Sequence, residues 1–302
     1  MRILVIGASG LLGSVLVNND LWLRDEVVGV SSRDADIRDS AQVGRLFADL
    51  RPECAVLAAA YTDVDGCEKN PEQAHEVNCL GALHVAQAAK QAGASLVFLS
   101  TDYVFDGSKG QPYEPHDPVC PLNVYGHSKA QAEEGIRRII PEACILRTSW
   151  LFGATGICFP GKILELAGKL DRLSVVDDQI GCPTFNRDLA QIIVGLVRSR
   201  AQGVVHATNA GQCSWYEFAR EIVCMGGFGN VLVSPVSTRE FPRPARRPAY
   251  SVLSRASMGA YGIGPRTWQE ALNDYFLDRE KFIRGQQELV ASSSPVERRR
   301  TI

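Results

Sequence analysis

Short apolar runs alternate with longer amphipathic segments through the first half of the chain. The apolar runs have the length of buried strands, and the longer segments repeat apolar residues at the spacing of one helix face. Strands and helices in alternation indicate parallel strands joined by right-handed crossovers, hence an α/β fold with a doubly wound parallel sheet. An N-terminal strand is followed by predicted strands at 27–31, 54–59, 96–100 and 143–146, and the predicted helices lie at 40–50, 71–92 and 125–140.

The first predicted strand ends in a glycine-rich turn, since residues 1–13 read MRILVIGASGLLG. Gly7 allows an unusual φ, Gly10 lets the backbone approach a pyrophosphate, and Gly13 lets the next helix pack against the strand. The unpaired N–H groups at the start of that helix favour an anion. The alternative is a plain turn in a glycine-rich chain. The predicted dinucleotide-binding loop of this Rossmann fold comprises Gly7, Ser9, Gly10, Leu11, Leu12 and Gly13.

The regular alternation of strand-like and helix-like segments ends at about residue 150. Segments punctuated by proline and glycine, such as 177–184, alternate there with short helical segments. We predict a dinucleotide-binding Rossmann domain over 1–150 and a smaller C-terminal α/β lobe over 151–284. That lobe is expected to bind substrate and to return in part to the first domain. The polar segment 285–302 has no periodicity and is expected to be a disordered tail.

Composition narrows the function. The chain has 302 residues, of which 45% are hydrophobic, and a formal charge of −2, which gives no basic footprint for nucleic acid or a membrane surface. No apolar run approaches a membrane span, and the N-terminal run is only as long as a strand, so we expect a cytoplasmic protein. Its nine cysteines include no C-x-x-C pair, so we expect reduced thiols and no structural metal.

A second group of residues, Thr101, Tyr125 and Lys129, contains the candidate groups for proton transfer. Tyr125 and Lys129 lie four residues apart on a predicted helix, so their side chains are neighbours on one face. An ammonium beside a phenol is expected to lower the pKa of the phenol and prepare it for proton transfer. Thr101 follows the strand at 96–100, whose carboxyl end opens on the same crevice as the glycine loop. The alternatives are a Thr101 that caps a turn and a Tyr125 that packs in the core.

Six further stretches resemble the extended short-chain dehydrogenase/reductases, and among them the branch of dTDP-4-dehydrorhamnose reductases. The resemblance implies that Thr101, Tyr125 and Lys129 form a catalytic triad. Tyr125 would protonate the C4 oxygen of a nucleotide-linked 4-keto-6-deoxysugar while a reduced nicotinamide delivers hydride, and Lys129 would hydrogen-bond the nicotinamide ribose. The stretches are AAAYTDVDGCE (58–68), STDYVFDG (100–107), PLNVYGHSK (121–129), LRTSW (146–150), DDQIGCPT (177–184) and PARRP (244–248).

The end of the second predicted strand bears on the choice of cofactor. An acidic residue there would favour NAD, whereas a nearby arginine would accept the 2′-phosphate of NADP. The sequence has Ser31, Ser32 and Arg33, which favours NADPH and leaves NADH open; Arg33 could also be an ordinary loop charge, and Asp34 stands beside it. By resemblance, the remaining cofactor contacts are Asp36 and Ile37 at the adenine and Ala58, Ala59 and Ala60 along the cofactor.

The substrate contacts rest mainly on the resemblance. Trp150 offers a flat apolar face to a sugar ring. Gln179 and Arg247 are expected to contact the nucleotide part, because an arginine fork suits a diphosphate, although Arg247 could instead pin a proline-rich loop. Trp215, at the start of a predicted helix, is expected in the core. The deoxysugar contacts implied by the resemblance are Thr62, Val64, Thr101, Tyr103 and Trp150.

One position departs from the family pattern. Some relatives bind a divalent metal at a dimer interface through a glutamate just after the third glycine, where this chain has Val15. We therefore expect no metal, and the sequence leaves a homodimer made by other contacts open.

Three other functions remain open at this point. The first is a reductase of another nucleotide-linked 4-keto-6-deoxysugar, because pocket shape decides the sugar. The second is a non-catalytic regulatory subunit of methionine adenosyltransferase. The third is an epimerase or dehydratase of the extended family, which would carry extra acid/base groups in place of Asp102 beside Thr101; the pair Asp102 and Tyr103 is more typical of a simple reductase.

Overall fold

The central feature is a sheet of six parallel strands. The computed structural model describes residues 1–23 and 25–293. The strands of this part of the chain are β1 (Arg2–Ile6), β2 (Glu26–Val30), β3 (Cys54–Leu57), β4 (Ser95–Thr101), β5 (Cys144–Thr148), β6 (Leu151–Phe152), β7 (Arg172–Val176), β8 (Ile180–Gly181), β9 (Thr184–Phe185), β10 (Gly203–His206), β11 (Cys213–Ser214) and β12 (Leu232–Val236). The central sheet has the order β10-β5-β4-β3-β1-β2, which confirms the predicted doubly wound α/β fold.

Helices cover both faces of the sheet and build the second lobe. Those described are α1 (Gly13–Leu16), α2 (Asn19–Trp22), α3 (Ser40–Leu50), α4 (Val64–Lys69), α5 (Pro71–His75), α6 (Gly81–Ala92), α7 (Val124–Ile139), α8 (Phe159–Ala167), α9 (Asn186–Arg198), α10 (Trp215–Met225), α11 (Ala256–Gly259) and α12 (Trp268–Ser293). A π-helical turn, Glu76–Leu80, joins α5 to α6, and a 3-10 turn, Asp102–Val104, follows β4.

The order of the strands places a crevice between β1 and β3. The chain leaves β1 toward β2 on one side and continues from β3 toward β4 on the other, so the loops after β1 and β3 diverge. Ile6 pairs with Leu57, so the turns that begin at Gly7 and Ala58 start at the same level. Such a switch point at the carboxyl ends of parallel strands is where open α/β sheets bind ligands.

Two apolar layers hold this sheet. One face packs against α1, α2 and α9, where Trp22 is fully buried and its indole N–H donates to the Leu16 carbonyl at 2.6 Å. The other face packs against α3, α6 and α7 around Phe47 and Phe98. Near-continuous apolar strands are typical of a sheet covered on both sides, and burial of each large side chain contributes about 1.5–3 kcal/mol.

The second lobe has its own core. Short strand pairs and the helices α8, α10 and α12 surround Phe152, Phe185 and Phe218. In the same part of the chain, β10 and α9 join the first sheet. Helix α12 continues through Ser293, beyond the start predicted for the tail, and residues 294–302 lie outside the described residues. Within 1–23 and 25–293, no helix has both the length and the apolar character required to cross a bilayer.

A buried ion pair joins α7 to the sheet. The side chains of Glu133 and Arg147 are 0% and 1% exposed, and two guanidinium nitrogens donate to the two carboxylate oxygens at 2.9 and 2.6 Å. Ser100 on β4 donates its hydroxyl to the same carboxylate at 2.6 Å, and Arg147 also donates to the Pro115 carbonyl at 3.2 Å. Because these bonds satisfy most of the buried polar atoms, the pair fixes α7 against β4 and β5.

Glu133→Gln is expected to lower the free energy of unfolding by about 3–5 kcal/mol, because the Arg147 charge then stays buried without its counter-charge. Urea unfolding followed by circular dichroism measures this change. Glu134→Gln is the matched control, since its pair with Arg138 is exposed and contributes less than about 0.5 kcal/mol. Equal, small losses in the two variants would contradict the anchoring role of the buried pair.

Candidate active site

One cleft of about 680 Å³ lies at the carboxyl ends of the central strands. It brings together side chains and loops that are far apart in sequence, from the glycine loop to the segment after β5. The predicted site residues that line it are Gly7, Ser9, Gly10, Leu11, Leu12, Gly13, Asp36, Ile37, Ala58, Ala59, Ala60, Thr62, Val64, Thr101, Tyr103, Tyr125, Lys129 and Trp150.

The glycine loop has the geometry that a dinucleotide requires. Gly7 has φ +97°, and a Cβ there would come within 2.5 Å of the Ala59 nitrogen. A Cβ at Gly13 would clash with the Gly7 carbonyl oxygen. Within the described residues, the backbone N–H groups of Leu11 and Leu12 have no acceptor although they line the cleft. Free N–H donors at the start of a helix fit a pyrophosphate.

Two arginines follow β2, and the one predicted to contact the cofactor, Arg33, is not the one that lines the cleft. Arg33 lies outside the lining of the cleft, and its exposed guanidinium has no hydrogen-bond partner in the described part of the chain. Arg38, which sequence reasoning missed, lines the cleft instead and donates to both carboxylate oxygens of Asp36 at 2.6–3.0 Å. Asp34 is turned onto Ser31, accepting from its N–H and hydroxyl at 2.7 and 2.8 Å.

Tyr125 is positioned by the start of α7. The side chain of Asn123 caps this helix by accepting from the Gly126 N–H at 2.8 Å, and its amide donates to the Arg246 carbonyl at 2.8 Å. The rings of Tyr125 and Tyr103 form a T-shaped pair with a centroid distance of 6.2 Å and an interplanar angle of 80°. Tyr125 lines the cleft from this capped helix turn and belongs to none of the core clusters of the described residues.

The expected effect of Lys129 on the phenol is wrong for the protein alone. Burial raises the pKa of Tyr125, and the hydrogen bond with Thr101 only opposes that shift. Burial also lowers the pKa of Lys129 to about 7, against the opposing attraction of Glu133. Desolvation is the largest cause of both shifts, because burial disfavours the charged form of each group.

Lys129 is held over an aromatic ring. Its side chain is 2% exposed, and its ammonium nitrogen lies 4.0 Å from the centroid of the Phe98 ring. Cation–π contact offsets part of the cost of burying the charge. Lys129 also lines the cleft, and an ammonium donates hydrogen bonds of the kind that a ligand hydroxyl accepts.

Asn78 connects the loop after β3 to helix α7 through hydrogen bonds. It lies in the π-helical turn, and its amide accepts from the Tyr61 N–H at 2.7 Å and donates to the Ser128 hydroxyl at 3.1 Å. Ser128 in turn donates to the Tyr125 carbonyl at 2.8 Å. This residue, missed from the sequence, connects the loop after β3 to the helix turn that carries the phenol.

Trp150 and Trp215 stack face to face in the cleft wall. Their rings are 3.5 Å apart between centroids and 8° from parallel, and both line the cleft. Trp150 has φ +46°, and its ring also presses on Gly181, where an added Cβ would clash with it. Trp215, expected in the core, packs against the core of the second lobe and in addition lines the cleft. The capping box of Ser214 and Glu217, visible in the sequence, starts α10 and holds Trp215 at this wall.

Two predicted substrate residues lie outside the cleft lining. The buried Gln179 donates to the Thr238 hydroxyl at 2.9 Å. Arg247 donates to the Asp65 carboxylate at 2.6 Å, and Arg243 pairs with the same carboxylate. These contacts pin the proline-rich loop against α4, which was the alternative left open for Arg247.

Comparisons with known proteins agree with this geometry. Residues 1–280 match the family described as RmlD substrate binding domain. The spore coat polysaccharide biosynthesis protein SpsK of Bacillus subtilis is 41% identical over 278 residues, which are 92% of this chain and 98% of that protein. A dTDP-4-dehydrorhamnose reductase of Mycobacterium tuberculosis is 39% identical, with 90% of this chain and 91% of that protein covered.

A solved structure gives the same result in three dimensions. The dTDP-4-dehydrorhamnose reductase of Bacillus anthracis, in complex with NADP, superposes with a TM-score of 0.88 at 36% identity, covering 92% of this chain and 99% of that one. The match to the family runs through both lobes. This chain therefore belongs to the RmlD substrate binding domain family, as its resemblance to the dTDP-4-dehydrorhamnose reductases predicted.

Proposed function

We propose that this protein reduces the C4 ketone of dTDP-4-dehydro-L-rhamnose to dTDP-L-rhamnose with NADPH, in nucleotide-sugar and cell-surface polysaccharide biosynthesis. The observation that carries the proposal is a single cleft in which the glycine loop, with free N–H groups, meets Thr101, Tyr125 and Lys129. The Mycobacterium tuberculosis relative is named for this reduction, and the Bacillus anthracis structure holds NADP.

The side chains account for stabilisation of the developing charge. A bound reduced nicotinamide supplies the hydride. A ketone that accepts hydride at C4 develops negative charge on its oxygen, so donors at that oxygen stabilise the transition state more than the ground state. Tyr125 donates the proton that completes the alcohol, and Thr101 holds the oxygen beside it. Because burial raises the pKa of Tyr125, the phenol stays protonated and ready to donate near neutral pH.

The two lobes divide the binding tasks. Residues 1–150 hold the dinucleotide through the glycine loop, the segment after β2 and the three alanines after β3. Residues 151–284 supply the wall for the nucleotide sugar, and Trp215 belongs to this wall because it covers one face of Trp150. Thr62, Val64 and Tyr103 complete the sugar site from the first lobe.

A direct assay tests the proposed function. Purified protein is mixed with NADPH and dTDP-4-dehydro-L-rhamnose, loss of cofactor absorbance is followed, and the product is identified by NMR. We expect dTDP-L-rhamnose as the product. Oxidation of NADPH only with a different nucleotide-linked 4-keto-6-deoxysugar would move the function to that sugar. No reduction of any ketone, with binding to methionine adenosyltransferase, would favour the regulatory subunit.

Tyr125→Phe is expected to lower kcat by about 10²–10⁴, since it removes the proton donor and leaves the packing of the ring in place. Thermal unfolding of this variant should match that of the unchanged protein. His127→Ala is the control, because His127 is exposed between Tyr125 and Lys129 on the same helix. Turnover that is unchanged in Tyr125→Phe would rule out the phenol as the donor.

Arg33→Ala tests the choice of cofactor. Loss of a charge-assisted bond to the 2′-phosphate costs about 1.5–3 kcal/mol, so KM for NADPH should rise roughly 10- to 150-fold while KM for NADH stays unchanged. Arg38→Ala is the comparison, because Asp36 already neutralises that guanidinium. A selective loss of NADPH binding in Arg38→Ala alone would move the phosphate contact from Arg33 to Arg38.

Trp215→Ala is expected to raise KM for the nucleotide sugar roughly two- to twelvefold, since aromatic contacts contribute about 0.5–1.5 kcal/mol each beyond burial. KM for NADPH should stay the same. Tyr216→Ala, the next residue on α10, is the control because its ring faces Arg220 and does not line the cleft. Equal KM values in both variants would remove Trp215 from the substrate wall.

A further inference from the structure

A buried carboxyl group stands directly behind the hydroxyl of Thr101. Asp102 is 2% exposed, and its Oδ1 lies 3.1 Å from the Thr101 hydroxyl. Its other oxygen, Oδ2, accepts from the Ser251 hydroxyl at 2.6 Å. Asp102 also lines the cleft, and the triad expected from the sequence gives it no role.

The state of Asp102 decides what Thr101 is able to do. The Thr101 oxygen already accepts from the Tyr103 N–H at 3.2 Å, so one of its two lone pairs is occupied. An ionised Asp102 only accepts, so Thr101 would donate its single proton to Asp102. It would then have no proton for a ketone oxygen, and Tyr125 would donate to the remaining lone pair of Thr101.

Protonation of Asp102 reverses the direction of the hydrogen bond between Asp102 and Thr101. Its acid proton on Oδ1 donates to the second lone pair of Thr101, while Oδ2 still accepts from Ser251. Both lone pairs of Thr101 are then occupied, and its O–H is left for an acceptor other than Asp102; Thr101 and Tyr125 both line the cleft, where the substrate oxygen would lie. We infer that Asp102 works in its protonated form as a positioning residue that makes Thr101 a hydrogen-bond donor to the substrate oxygen.

This inference rests on the proposed reduction. It places one further proton in the site, on Asp102, which the reaction does not consume. Hydride forms the new C–H bond at C4, the oxygen takes its proton from Tyr125, and Asp102 keeps its own. The Thr101 bond strengthens as charge grows on the oxygen, which lowers the barrier.

The surroundings of Asp102 favour the protonated form. Burial raises its pKa to about 7, although the bonds from Ser251 and Thr101 oppose the shift. The titratable groups that face it are Tyr103 on the 3-10 turn, Tyr125 on α7 and Cys182 between β8 and β9. Burial raises the pKa of each, so all three are neutral when Asp102 titrates.

The test is the pH dependence of kcat/KM for ketone reduction by the NADPH-loaded enzyme. In the unchanged protein, kcat/KM should fall about tenfold per pH unit once Asp102 ionises. Asp102→Asn should remove this alkaline decline, because an amide N–H donates to Thr101 at every pH. Ser251→Ala should move the decline to higher pH, because it removes a bond that favours the ionised carboxylate.

Lys129 has a pKa of about 7, like Asp102, so its titration is the other possible cause of an alkaline decline in kcat/KM. A decline that persists unchanged in Asp102→Asn belongs to Lys129 and overturns the inference. Loss of activity at every pH in a folded Asp102→Asn would show that the ionised acid is the working form and would also overturn it. If the unchanged protein reduces no ketone, the proposed function fails instead.

Infrared spectroscopy gives a readout that needs no turnover. The protein without cofactor should show the carbonyl-stretch band of a protonated carboxylic acid near neutral pH, which fades as pH rises. The band should be absent in Asp102→Asn and fade at higher pH in Ser251→Ala. Its absence from the unchanged protein at acidic pH would contradict a titrating, buried Asp102.

Discussion

The buried ion pair between Glu133 and Arg147 fixes the positions on which the chemistry depends. Ser100, which donates to Glu133, immediately precedes Thr101 on β4, and Glu133 lies one helical turn after Lys129 on α7. A single carboxylate therefore connects the strand that carries the hydroxyl to the helix that carries the phenol and the ammonium. Because hydrogen bonds satisfy most of its buried polar atoms, the pair sets the relative positions of this strand and this helix within narrow limits.

Desolvation then sets the proton chemistry of the cleft. The same burial raises the pKa of Tyr125 and of Asp102 and lowers that of Lys129. Burial thereby favours the forms of the phenol and the carboxyl group that donate hydrogen bonds, which suits the proposed reduction of a ketone. The lysine, with a pKa of about 7, depends on Glu133 and on a bound ligand to hold its charge.

The sequence predicts most of the fold because the deciding signals are local. The helix predicted at 40–50 is α3, Ser40–Leu50, since an Asp39 cap and a regular apolar face define it within a few residues. The one-turn spacing of Tyr125 and Lys129, and the place of Thr101 at a strand end, likewise follow from chain geometry alone.

Contacts between distant parts of the chain were beyond sequence reasoning. Arg247 is separated by 182 residues from Asp65, the carboxylate with which it pairs. Trp215 faces the cleft because Trp150, fixed by Gly181, gives it a ring to stack on. The direction of the pKa shift at Tyr125 depends on how deeply the phenol is buried, and the spacing of charged residues in the sequence does not give that burial.

The transfer of label from cofactor to sugar tests the central claim most directly. The protein is given the nucleotide-linked 4-keto-6-deoxysugar and NADPH deuterated at the transferable position of the nicotinamide, and the product is analysed by NMR. The account predicts deuterium bonded to C4 and at no other carbon of the sugar. A product without label at C4, or with hydrogen exchanged from solvent at its neighbours, would contradict a direct hydride transfer in this cleft.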